Sequence, residues 1–115
     1  MKYAPILLIF ILFTACAQQT GLYYYGNTSH NYYRAVKLGD EKSLDAYKQS
    51  LENLFDREEK AGRKVAPGLY CDYAMILMGE KQEEKAREYF EKEKQNFEES
   101  TALINFMLMR YFGKI

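Results

Sequence analysis

Apolar residues in this chain return at the period of an α-helix and nowhere at the period of a strand. Between positions 40 and 60 the apolar residues are Leu44, Tyr47, Leu51, Leu54 and Phe55, spaced 0, 3, 7, 10 and 11. That spacing puts them in one narrow stripe on a helix whose other faces are polar. A strand buried on one face needs alternate residues to match, and no segment between turn residues does so. Turn signals then cut the helical pattern into short pieces. Gly39 suits the left-handed position that ends a helix, and Asp40 after it suits the N-cap of the next. Gly62 closes that second helix. Ala66-Pro67-Gly68 opens a third, with proline in a first turn where its missing N–H does no harm. Gly79-Glu80-Lys81 is the following turn, Ser100 is placed to cap a last helix, and Gly113 ends it. The expectation is an all-α chain with helices near 31–38, 40–60, 67–78, 82–97 and 100–112.

Length and charge narrow the function classes. At 115 residues the chain holds one domain, without room for a second carrying its own catalytic machinery. Sixteen basic residues balance sixteen acidic ones, so no strong net field draws it to nucleic acid. Chemistry-bearing clusters are missing too. His30 is the only histidine, and no His/Cys pair has metal-ligand spacing. No glycine-rich loop follows a strand, and no serine can complete a nucleophile–base–orienter set with one distant histidine. The reading is of a protein that is not an enzyme, with no cofactor and no metal.

The first residues carry an address. After Met1-Lys2, an uninterrupted apolar run of eleven residues extends from Tyr3 to Phe13. A membrane span needs roughly 20 residues, so this run has the size of a secretory signal core. Thr14-Ala15-Cys16 closes it, and small residues before a cysteine in this setting resemble the lipobox of bacterial lipoproteins. That resemblance implies cleavage before Cys16 and acylation of its thiol and new amine, with a signal peptide over 1–15. Two or more acyl chains hold a protein firmly to a bilayer, where one does so marginally. Ala17, rather than aspartate, follows Cys16, which by resemblance to enterobacterial sorting favours the outer membrane. With Cys16 lipidated, Cys71 has no partner within the chain. It reads as a buried inert thiol, the alternative being an intermolecular disulfide.

Residues 16–27 then form a lipidated terminus and an aromatic tether, and 28–115 the helical domain. Leu22-Tyr23-Tyr24-Tyr25-Gly26 is too aromatic for a plain linker. Tyrosine has an apolar body and a polar tip. The segment is expected to pack across the open end of the helices, the other options being contact with a membrane or a partner. The third helix is broadly apolar and therefore central. The fourth is densely charged, with Ala86, Tyr89, Phe90 and Phe97 on one side. The last helix has only Asn105 and Arg110 as polar residues in its body. It is too short to cross a bilayer, and a terminal helix of a repeat array normally keeps one polar face. About half of its apolar residues are expected to lie out of reach of the domain's own core. Leu103, Phe106, Met109 and Phe112 are the candidate partner-binding residues. The alternatives are that this helix tucks between the preceding helices and the tyrosine segment, or touches membrane.

The stretch 70–99 resembles a tetratricopeptide repeat. Tyr70 takes the first aromatic position, Ala74 the small residue of the first helix and Leu77 the next apolar one. Ala86 takes the small residue opening the second helix, and Phe90 the aromatic four later. These five are the expected repeat core. Glu93 stands where the pattern has a second small residue, Glu98 where it has proline, and the turn glycine, Gly79, sits two places early. The lipobox together with Leu22-Tyr23-Tyr24-Tyr25-Gly26-Asn27, Val65-Ala66-Pro67-Gly68-Leu69-Tyr70 and Ala86-Arg87-Glu88-Tyr89-Phe90-Glu91-Lys92-Glu93 is similar to a family of small tetratricopeptide-like bacterial lipoproteins of unknown function. Members are often encoded beside a lipoprotein related to the curli-secretion channel. The resemblance implies a lipid-anchored, periplasm-facing interaction or assembly module of the outer membrane whose partners are other envelope lipoproteins. The alternative is a structural envelope lipoprotein acting by self-association or cell-wall contact.

Overall fold

The computed structural model describes residues 21–113, so the signal peptide and the lipidation expected at Cys16 lie outside the described residues. Within them the chain is all-helical: α1 (Thr28–Leu38), α2 (Glu41–Lys60), α3 (Leu69–Gly79), α4 (Glu83–Asn96) and α5 (Thr101–Phe112), with a 3-10 turn at Glu98–Ser100 before α5. The closest packing is between α3 and α4 and between α1 and α2, while α2 meets α3 and α4 meets α5. One core runs through these contacts. It holds Tyr47, Leu51, Leu54 and Phe55 of α2, Tyr70, Tyr73, Ala74 and Leu77 of α3, Ala86 and Phe90 of α4, and Ile104 and Leu108 of α5.

Several expected boundaries hold for their expected reasons. Gly39 takes a left-handed φ of 64° and donates its N–H to Ala35. Asp40 caps α2, its carboxylate accepting the Ser43 N–H at 2.7 Å. Bonds from Ser43 hold the Asp40 carboxyl below its ordinary range. Gly113 closes α5, with φ 69° and its N–H on Met109.

Four boundaries differ. The first helix begins at Thr28, three residues before the expected start at Asn31. Thr28 is buried and its hydroxyl donates to the Tyr25 carbonyl at 2.6 Å, while Asn31 reaches the Ala46 carbonyl at 3.4 Å. The side of α1 turned to α2 is thus polar and small, and gives no apolar period to read. Pro67 stands before α3, not in its first turn; Gly68 is the N-cap, with φ 90°. Gly79 stays helical, and Lys81, two places later, takes the left-handed φ of 61°. That conformation costs an L-residue on the order of 1 kcal/mol. Ser100 does not cap α5: it ends the 3-10 turn, and its hydroxyl reaches Glu93 at 3.5 Å.

An aromatic cluster joins α2, α3 and α4. Phe55 lies 4.7 Å from Tyr70 and 5.4 Å from Tyr73, and Tyr73 lies 4.6 Å from Tyr89, centroid to centroid. The phenol tips escape the core by donating to carboxylates: Tyr70 to Glu59 at 2.6 Å and Tyr73 to Glu52 at 2.7 Å. Burial first, and those acids second, push both phenols above their ordinary pKa. Lys92 covers the outer side, its Nζ 4.7 Å from the Tyr89 centroid. Tyr23 packs edge-on to Phe97 at 6.1 Å, carrying the tyrosine segment to the C-terminal end of α4. The Arg57 guanidinium lies 3.9 Å from the Tyr24 ring centroid, so Tyr24 rests on α2.

Candidate functional site

The last helix divides into two sides. Ile104 and Leu108 are fully buried and fix α5 to the core. Leu103, Phe106 and Met109 are 57%, 62% and 50% exposed, so three large apolar side chains share the outward side. Arg110 lies with them, four residues beyond Phe106 and seven beyond Leu103, and makes no ion pair among the described residues. Phe112 is a different case. It is half-buried against the core, with the Arg87 guanidinium 4.1 Å from its ring centroid. The outward patch is therefore Leu103, Phe106 and Met109, and Phe112 belongs to the seam with α4.

The repeat-core positions read from the sequence come together. Tyr70, Ala74 and Leu77 on α3 and Ala86 and Phe90 on α4 are all buried in the same cluster. Ala86 and Ala74 are fully buried. Glu93, the residue that departs from a small-residue pattern, is 1% exposed. Its Oε1 accepts the Gly68 N–H at 2.7 Å, so a side chain of α4 supplies the cap that the glycine at the start of α3 lacks. Burial raises its pKa above the ordinary carboxylate value; the Gly68 and Ser100 bonds oppose that shift, and nearby Asp72 adds to it.

Cys71 is free and half-buried, and its thiol donates to the Met107 sulfur at 3.7 Å, joining α3 to α5. Burial, then Asp72 and Glu93, push the thiol up to about 11. At neutral pH it is protonated and a poor nucleophile. His30 is exposed. Among the described residues no group of three or more His, Cys, Asp or Glu could hold a metal ion. No helix among them is long and apolar enough to cross a membrane.

A second apolar surface lies away from α5 and was not read from the sequence. A groove of about 260 Å³ runs between α1, the start of α2, and α3. Tyr32, Val36, Leu44, Met75 and Ile76 line it, with Tyr47 and Asp72. The Tyr47 hydroxyl donates to Asp72 Oδ2 at 2.7 Å. Val36 is 67% exposed and Tyr32 51%, so α1 offers apolar side chains outward as well as polar ones inward. Only a helix pairing, absent from one-dimensional periodicity, brings these residues to one trough.

A family model described as a domain of unknown function, DUF4810, matches residues 22–107. The chain belongs to this family. The DUF4810 match takes in α1 to α4 whole and ends at Met107, inside α5. Leu103 and Phe106 of the outward patch fall within it, and Met109 lies beyond its end. No curated protein and no solved structure matches the chain. Membership in DUF4810 groups the protein with relatives whose shared domain has no assigned activity.

Proposed function

We propose that this protein is a lipid-anchored module of the bacterial outer membrane, facing the periplasm, that binds and assembles other envelope lipoproteins. The observation that carries the reading is the outward side of α5, where Leu103, Phe106 and Met109 stand exposed together on one helix. Leaving large apolar groups in water forgoes about 1.5–3 kcal/mol each relative to full burial, and grouped exposure of this kind marks contact surfaces. Methionine adapts to a partner's shape, which suits a docking helix. The anchor follows from the lipobox-like run ending in Cys16, and partners tethered to the same membrane meet at high local concentration.

Helix pairing of the tetratricopeptide kind supports an interaction role. The reading rests on the close packing of α1 with α2 and of α3 with α4, with Ala74 and Ala86 fully buried. It rests also on the left-handed Lys81 at the place where the repeat pattern has its turn glycine. In such arrays the surfaces, not any single side chain, carry recognition.

The test is co-purification from detergent-solubilised envelope. Met109→Glu is expected to keep the helical circular dichroism of the wild type and to lose the partners that the wild type retains. Glu84→Gln, on the charged outer side of α4, is expected to keep them. If Met109→Glu retains every partner, the contact surface is not α5.

A further inference from the structure

We propose that the groove between α1 and α3 is the docking site for α5 of a second copy of this chain, joining copies head to tail. The proposal rests on the interaction reading, since it uses the same side of α5, and goes beyond it by naming the occupant and the receiving surface.

The two surfaces are matched in polarity and in charge. The groove is lined by Tyr32, Val36, Leu44, Met75 and Ile76, with the Asp72 carboxylate among them. At its α2 end the trough continues past Leu44 and Met75 to Glu41, Asp45 and Glu80, the last already paired with Lys48 at 2.7 Å. Glu41, Asp45 and Asp72 make no ion pair among the described residues. No lysine or arginine lines either stretch. The matching helix is α5, Thr101–Phe112, which contains no acid and one cation, Arg110. Leu103, Phe106 and Arg110 stand at i, i+3 and i+7, one row along the helix, with Met109 beside it. An apolar row ending in a cation thus meets an apolar groove whose lining charges are acids, three of them unpaired. A helix laid in a groove and read through anchors at this spacing is an established recognition mode.

In the head-to-tail contact one copy's helix fills its neighbour's groove and leaves its own groove open. Such a contact is heterologous and builds open chains or closed rings, whereas reciprocal docking across a two-fold axis would stop at the dimer. An open chain keeps one free groove and one free α5, where other envelope proteins can join.

The experiment is native mass spectrometry of the full chain released from detergent micelles. Wild type is expected to give species beyond the dimer as concentration rises. Met109→Glu removes the donor side and Met75→Glu the acceptor side; each is expected to be monomeric with unchanged circular dichroism. Mixed, with one isotopically labelled, they are expected to form a one-to-one pair and nothing larger, because only one good helix and one good groove remain. Should either variant unfold, Leu103→Glu and Val36→Glu test the same sides at more exposed positions. A monomeric wild type, single variants that still assemble, or a mixture that stays monomeric overturns the proposal. Purified chain that assembles but finds no envelope partner sinks the interaction reading alone. Purified monomer that binds an envelope partner sinks self-docking alone.

Discussion

Glu93 is the residue at which local pattern and tertiary need diverge most. Its place in the helical pattern suits a small side chain, yet a carboxylate there reaches the Gly68 N–H at 2.7 Å. Oε1 is satisfied, while Oε2 is buried without a partner among the described residues. The sign of the pH effect follows from the raised pKa. A carboxyl that binds its proton more tightly folded than unfolded stabilises the fold at low pH, and that stability is lost as pH rises through the folded pKa. Glu93→Gln keeps an acceptor for Gly68 without the charge. Its melting temperature relative to wild type is therefore expected to rise as pH is taken from about 4, near the unfolded glutamate value, to neutrality. An advantage that shrinks over that range would mean the ionised form is the favoured one. Glu93→Ala should lose about 1–3 kcal/mol through the orphaned Gly68 N–H. The chain shows that Glu93 departs from a small-residue position, but not the capping role it takes there. A glutamate in a run of charged residues reads as a solvated one, and only the approach of α3 to α4 reveals the backbone donor it serves.

At the scale of elements, legibility followed the contrast between the two sides of a helix. The stripe of α2 was plain because its core residues are large and its remainder charged, and Asp40 and Gly39 bracket its start. The start of α1 was missed because Thr28, Asn31 and Ala35 are the residues turned inward, and polar or small groups make no hydrophobic period. Ser100 looked like a cap because its type is right for one, but the preceding 3-10 turn already satisfies part of the entry to α5, and its hydroxyl is turned to Glu93. The α3–α4 packing supplies the sharpest test. Ala86 is fully buried, so Ala86→Leu is expected to cost about 1–3 kcal/mol by overpacking. Phe90→Ala should cost about 3–5 kcal/mol, much of a small domain's stability. Denaturant melts check both, with Glu84→Gln expected to be silent. A wild-type midpoint for Ala86→Leu would mean the two helices do not meet at that residue.

For the whole molecule, the aromatic cluster at Phe55, Tyr70, Tyr73 and Tyr89 closes the middle, and apolar surface is left at both extremes of the helical order. One extreme is α1 with its groove, and the other is the outward side of α5. The composition could not separate these from core, since Phe106 and Phe90 are the same residue type. What separates them is which side of each helix finds a neighbour. Site-specific photo-crosslinking in living cells reads whether the outward side of α5 is the protein-contact surface proposed for it in the envelope. A photoreactive phenylalanine analogue is placed at Phe106, at Leu103 and, as a control, at Glu84. Protein adducts are expected from positions 106 and 103 and none from 84. Adducts to lipid alone, or none, from 106 and 103 would mean that this side of α5 meets no protein.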